Sequence, residues 1–162
     1  MLLYNVWVKQ IISFKEIEAI ISKISAKKIV LVGGCFDLLH YGHLTFLRNA
    51  KKIGNFLLVA LESDEFIKKY KKRDPIHLQD QRAEILASIS YVDVVVKLPL
   101  FKSDKEYFNL VKMIKPSVIA VTEGDKQIEN KKKQARLVGA KIRVASSLVK
   151  NLSSQEIIKK FL

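Results

Sequence analysis

Five apolar, largely β-branched runs alternate with amphipathic segments along the 162-residue chain. No other feature narrows the fold as much. "KIVLVGG" (28–34), "FLLVALE" (56–62), "VDVVVKL" (92–98), "SVIAVT" (117–122) and "KIRVAS" (141–146) read as buried strands. Between them, residues 42–53, 64–70, 78–89, 104–114 and 128–138 carry apolar side chains at helical spacing. "FKEIEAIISKI" (14–24) adds a helix ahead of the first strand, with Phe14, Ile17, Ile20, Ile21 and Ile24 on one face. Strands without polar alternation, each followed by a helix, pair in parallel and are covered on both faces. The pattern predicts an α/β, doubly wound parallel sheet of about five strands with flanking helices. Residues 1–162 form one domain, with 1–26 as an N-terminal helical extension. Local signals punctuate this frame: Gly54 as a helix stop, Ser103 as a cap, Lys115 and Pro116 as a terminator, and Ser153 with Glu156 at capping-box spacing.

Composition bounds the function classes. The single cysteine, Cys35, rules out an internal disulfide and fits a reducing cytoplasm. No apolar run reaches the roughly 18 residues that a membrane span needs, and the start lacks the pattern of a signal peptide. A cytoplasmic protein is expected. The 29 Lys and Arg against 16 Asp and Glu give a formal charge of +13. That excess attracts polyanions: nucleic acid, acidic lipid or phosphorylated small molecules. "KKYKKR" (68–73) and "KKK" (131–133) concentrate it. A basic nucleic-acid-binding module is the remote reading, because no helix-turn-helix, zinc finger or RNA-binding aromatic motif is present.

The chemistry concentrates in "GGCFDLLHYGH" (33–43), which joins the first strand to the helix after it. Ligands of open parallel sheets bind beyond the carboxyl ends of the strands. Gly33 and Gly34 let a ligand approach the backbone, and the helix start offers unpaired N–H groups to an anion. His40 and His43, three residues apart, can turn toward the same spot and donate to phosphoryl oxygens. The chain contains neither a P-loop nor a G-x-G-x-x-G fingerprint. A metal on His40 and His43 would need a further ligand, from Asp37 or from far away, and no resident metal is expected.

"GCFDLLHYGH" resembles the G-x-F-D-x-x-H-x-G-H motif of the cytidylyltransferase-like nucleotidyltransferases, with Gly34, Phe36, Asp37, His40, Gly42 and His43 in register. "ALESDEFIKKYKK", "QRAEILASISYVDVVV", "IKPSVIAVTEGD" and "LSSQEII" resemble later segments of the same family. The layout of "FKEIEAIISKIS" before "KKIVLVGGCFD" is most similar to the heptose-1-phosphate adenylyltransferase branch. The resemblance implies a Rossmann-like fold and transfer of a nucleotidyl group from an NTP, with ATP preferred, to a phosphorylated small molecule. The acceptor implied is a sugar phosphate, pyrophosphate leaves, Mg²⁺ accompanies the NTP, and a homodimer is common among relatives. The alternative is a CTP-dependent cytidylyltransferase for glycerol phosphate or another alcohol phosphate. Ser90 and Lys126 stand where the glycerol-phosphate enzymes carry an Arg and an aromatic, which counts against CTP.

Carried over residue by residue, the resemblance implies catalysis by His40, His43 and Lys71. It implies nucleotide contacts at Gly33, Gly34, Cys35, Phe36, Asp37, Gly42, Lys68, Lys72, Arg82, Asp125, Ser153 and Ser154. His40 and His43 would donate to the α- and β-phosphates, while Lys68, Lys71 and Lys72 neutralise the triphosphate and the acceptor. Arg82 is placed near the nucleotide, its ordinary alternative being a surface salt bridge. Asp37 contacts ligand or orients the glycine turn or a histidine. Phe36 belongs to the core. Asp125 reaches the base or ribose, or is a loop acid. Ser153 caps the last helix while Ser154 meets phosphate.

Overall fold

The computed structural model describes residues 10–24, 27–147, 157, 158 and 160. The strands are β1 (Ile11–Ser13), β2 (Ile29–Gly34), β3 (Phe56–Leu61), β4 (Val94–Lys97), β5 (Val118–Thr122) and β6 (Lys141–Ser146). The helices are α1 (Ile17–Ile24), α2 (Tyr41–Ile53), α3 (Asp64–Phe66), α4 (Gln79–Ala87), α5 (Asp104–Ile114) and α6 (Ile128–Val138). A 3₁₀ turn, Phe14–Glu16, precedes α1, and a π-helical turn, Ile67–Lys71, continues α3.

All six strands join one sheet in the order β1-β4-β3-β2-β5-β6, and every pairing is parallel. The α/β parallel architecture is as the sequence predicts, with one more strand than expected. Ile11–Ser13 pairs with β4, Ile11 opposite Val95 and Ser13 opposite Lys97. Within the segment read as a helical extension, Ile11–Ser13 is thus a strand, the outermost of the sheet among the described residues. Three residues carry too little periodicity to declare themselves, and β4 supplies the partner that makes them a strand.

Strand side chains alternate between two cores. Ile29, Leu31, Leu58, Val96 and Ile119 pack with α1 and α5 on one face, through Ile17, Ile20, Leu110 and Ile114. Val30, Val32, Leu57, Val59 and Val95 pack on the other face with Leu47 and Ala50 of α2 and Ala83 and Leu86 of α4. Burial on both faces explains why the strands read as unbroken apolar runs. The chain winds outward from β2 through β3 to β4, then crosses to β5 and β6 on the other side of β2. The order reverses between β2 and β5, and a ligand crevice belongs there, at the carboxyl ends.

Gly54 ends α2 for a reason other than the usual one. Its backbone is extended (φ −142°, ψ −165°) and not left-handed. A Cβ there would lie 2.5 Å from the Lys28 carbonyl oxygen and 2.6 Å from Val30 Cγ2, where the chain turns back beside β2. Gly54→Ala must push the α2–β3 connection off β2. It is expected to cost about 1–3 kcal/mol in chemical denaturation, and an unchanged denaturation midpoint would contradict the close approach.

Candidate functional site

The motif turn leaves β2 at Gly34 and enters α2 at Tyr41. Phe36 takes a left-handed backbone conformation (φ 46°), which side chains other than glycine seldom adopt. Burial holds it there: its ring is largely covered and lies 5.2 Å, centroid to centroid, from the ring of His43. The same ring explains Gly34, since a Cβ on Gly34 would come within 3.1 Å of it. Gly33 differs. An added Cβ would meet only the Ala60 carbonyl oxygen at 3.8 Å, an ordinary contact, so the protein itself makes no steric demand for glycine there.

His40 is the N-cap of α2, and its carbonyl accepts from the Leu44 N–H at 3.2 Å. Its side chain forms no cap hydrogen bond, and no acid occupies the first turn. The positive end of the α2 dipole is thus left uncompensated. The His40 and His43 rings stack with centroids 3.8 Å apart, so both imidazoles converge as the spacing predicted. Their Nδ1 atoms are buried without partners. Burial lowers the pKa of His40. Burial first, and then the neighbouring His40, bring His43 down to about 4, against a backbone hydrogen bond to Leu38. Without ligand, His43 is neutral at pH 7, and an arriving polyanion acts to raise both values.

Two sequence expectations need correction. Arg82 is neither a surface ion pair nor open to a nucleotide, because it is 0 % exposed and committed to protein partners. Its Nε donates to the His77 carbonyl at 3.0 Å, Nη1 to the Cys35 carbonyl at 2.6 Å and Nη2 to Asp64 Oδ1 at 2.7 Å. Asp37, 2 % exposed, holds the loop before α4. Its Oδ1 accepts from the N–H groups of Ile76 (2.9 Å) and His77 (3.1 Å), and its Oδ2 pairs with Arg73. The Arg73 guanidinium and these amides hold its carboxyl below the usual value against the opposing effect of burial.

The basic segment divides. Lys68 turns to the exposed Asp74 at 3.4 Å. Lys72 stands in a left-handed conformation (φ 55°) after the π turn. Lys71, at the end of that turn, is close enough to Cys35 and Glu62 to act on both electrostatically. Cys35 is a poor nucleophile, its thiol raised to about 11 mainly by burial. Asp125 accepts from the Gln127 N–H at 2.8 Å and pairs with Lys131 at 2.6 Å, the arrangement of a turn acid at the start of α6. Ser153 and Ser154 lie outside the described residues.

Glu62 was not anticipated. It is 8 % exposed, directly follows β3, and its N–H donates to the Gly34 carbonyl at 3.1 Å. Tyr107 of α5 donates to its Oε1 at 2.9 Å, while Oε2 has no partner. Burial raises its pKa to about 7, against the lowering effects of Tyr107, Arg82, Lys131 and Lys71. The signal was present in "FLLVALE", where an acid closes an apolar run at the carboxyl end of a parallel strand. Lys131, of the basic run 131–133, belongs to the same electrostatic neighbourhood.

Among the described residues, every buried side-chain nitrogen or oxygen without a partner belongs to His40, His43, Thr45, Glu62 or Arg73. Natural proteins seldom leave such groups unpaired, and a concentration of them marks a place where a ligand completes the bonding. A concavity of about 550 Å³ at the amino ends of the strands, lined in part by Lys28, Lys115, Lys141 and Arg143, has no such atoms. The carboxyl edge is therefore the candidate site. No described helix is long and apolar enough to cross a membrane.

Two outcomes follow from these contacts. Arg82→Ala is expected to lose about 3–5 kcal/mol of stability, since it strands Asp64 and buried carbonyls. Arg82→Lys should recover little of that in a denaturant titration, because an ammonium cannot span three partners in a plane. Glu62 ionises at 4.5 in the unfolded chain and near 7 in the fold, so the folded state keeps the extra proton in between. Its contribution to stability is complete below 4.5 and falls as pH rises through 7. His43 behaves oppositely, losing its contribution as pH falls from 6.5 toward 4, and cancels in a comparison of variant with wild type. The melting temperature of Glu62→Gln minus that of wild type should rise steadily from about pH 5 to 8. A flat difference would place the carboxyl in water.

Comparison with known proteins bears on the same segment. The cytidylyltransferase-like family model matches residues 31–160. The bifunctional protein HldE of Aliarcobacter butzleri is 44% identical over 116 residues, covering 70% of this chain but 23% of that protein. The chain thus spans under a quarter of the length of that relative. FAD synthase of Pyrococcus horikoshii is 41% identical over 122 residues, covering 74% of this chain and 80% of the synthase. Among solved structures, pantoate-beta-alanine ligase from Francisella tularensis superposes with a TM-score of 0.69 over 94% of this chain and 73% of its own. At 22% identity that likeness shows the fold alone.

Proposed function

Because this chain belongs to the cytidylyltransferase-like family of nucleotidyltransferases, we propose that it transfers an adenylyl group from ATP to a sugar phosphate and releases pyrophosphate. One observation carries the reading. Two stacked imidazoles with unpartnered, buried Nδ1 atoms stand at an uncompensated helix N-terminus, beside the carboxyl end of β2. Such a cradle suits a phosphorus centre on which charge builds in the transition state.

The acceptor phosphate attacks the α-phosphorus in line and the bond to pyrophosphate breaks, with no covalent enzyme intermediate. His40 and His43 donate to the α- and β-phosphate oxygens. The amides at the start of α2, around Gly42, take up further oxygens, and Gly33 and Gly34 leave room for the nucleotide. Lys71 neutralises charge between the two substrates, with Lys68 and Lys72 adding to the field of the same segment. Phe36 sets the slope of the His43 ring, while Asp37 and Arg82 act as positioning residues through the loop they hold. Asp125 serves the base or ribose, Cys35 lines the turn, and Ser153 and Ser154 complete the phosphate contacts. No three described His, Cys, Asp or Glu side chains cluster to hold an ion. Mg²⁺ enters this reading as part of the nucleotide substrate, carried on its phosphates. The reading describes a single domain working in the cytoplasm, alone or as a homodimer.

The adenylyl donor draws support from the match to an FAD synthase, whose product contains adenine. Its 80% coverage also favours a second reading, in which flavin mononucleotide is the acceptor. A pyrophosphate-release assay crossing ATP and CTP with sugar, glycerol and alcohol phosphates and FMN decides among these. Turnover is expected with ATP and a sugar phosphate. His43→Ala should lower kcat at least about a hundredfold while retaining its circular dichroism spectrum. Release with CTP alone would overturn the donor, and release with FMN alone the acceptor.

A further inference from the structure

The end of β3 holds a feature that phosphate chemistry does not use. Glu62 continues the alternation of Leu58 and Ala60, so its side chain turns to the α5 face of the sheet, away from α2 and its histidines. There Tyr107 takes up Oε1 and leaves Oε2 buried and without a partner. The carboxyl is nonetheless at the crevice. Its backbone is bonded to Gly34, and it interacts electrostatically with Cys35 of the motif turn and with Lys71. A carboxyl kept from water with one oxygen unpaired is costly unless something completes it. The cations around it, Lys71, Lys131 and Arg82, act through the field, and none is hydrogen-bonded to Oε2.

In-line displacement brings the attacking and leaving oxygens to opposite sides of phosphorus. With the phosphates at α2, the α5 side of the crevice, away from the histidines, is left for the acceptor. We propose that Glu62, oriented by Tyr107, is the specificity residue of the acceptor site and that its free Oε2 pairs with a hydroxyl of the sugar phosphate. This rests on the adenylyltransferase reading given above. Tyr107 is a positioning residue in this scheme: it fixes one oxygen so that the other faces the substrate. Its own ring is held edge-on against Phe101 at 4.9 Å, which gives the pair a rigid mount. A site built to bond a hydroxyl discriminates strongly against an analogue that lacks it.

The test measures pyrophosphate release by wild type, Glu62→Gln and Tyr107→Phe with ATP. The acceptors are aldohexose 1-phosphates, their monodeoxy analogues and FMN. Glu62→Gln is expected to raise the acceptor KM at least about tenfold while the ATP KM stays within about twofold. One deoxy analogue should lose a similar factor with wild type and nothing further with Glu62→Gln. Tyr107→Phe should move the acceptor KM in the same direction by about threefold, and it carries the test should Glu62→Gln fail to fold. If wild type turns over sugar phosphates but both variants keep the acceptor KM, or shift both KM values together, Glu62 is only a brace for α5. The inference then falls and the adenylyltransferase reading stands. Absence of release with every acceptor, or release with FMN alone, overturns that reading and this inference with it.

Discussion

The buried guanidinium of Arg82 ties together the segments that shape the crevice. It donates to the carbonyl of Cys35 in the motif turn, to Asp64 at the start of α3 and to the carbonyl of His77 ahead of α4. Burying a cation is costly, and only a planar fork with well-placed acceptors offsets that cost. Asp37 complements it from below, taking the amides of Ile76 and His77 and the side chain of Arg73. The loop between the π turn and α4 is therefore held through its amides by an acid and through a carbonyl by a base. Both charged residues, named as nucleotide contacts by the family resemblance, commit their hydrogen bonds to the segments that wall the crevice.

That arrangement leaves the proposed phosphate site at α2 to the two imidazoles and the helix amides. The histidines are neutral when alone, since burial disfavours their cationic form. The cations nearest the crevice are on side chains that can adjust, above all Lys71. In the proposed reaction, neutral donors on α2 and adjustable cations of the basic segment would divide the work between orientation and charge compensation.

Much of the fold was legible because fully buried parallel strands leave an unmistakable record: β3 matches the reading to within one residue, and α5 and α6 match it throughout. The convergence of His40 and His43 was equally readable, since helical spacing fixes neighbours within one turn. What stayed hidden depends on contacts distant in sequence. Arg82 meets Cys35 across 47 residues and Tyr107 meets Glu62 across 45, and no local pattern encodes such pairs. The strand at Ile11–Ser13 was missed for the same reason, being a strand only by virtue of β4. Gly54 was read correctly as a stop, but its cause, the nearness of Lys28 and Val30, is likewise tertiary.

The π turn from Ile67 to Lys71 carries a buried anchor at its start and a charge at its end. Ile67 is fully buried, whereas Lys71, four positions on, is exposed and close to Glu62. The wider winding accommodates about one extra residue per turn. Insertion or loss of a single codon at this point would swing that charge around the helix axis while the glycine turn and the imidazoles stayed in place. A change of one residue in length there would move the Lys71 charge relative to Glu62 and Cys35 while leaving the motif turn intact.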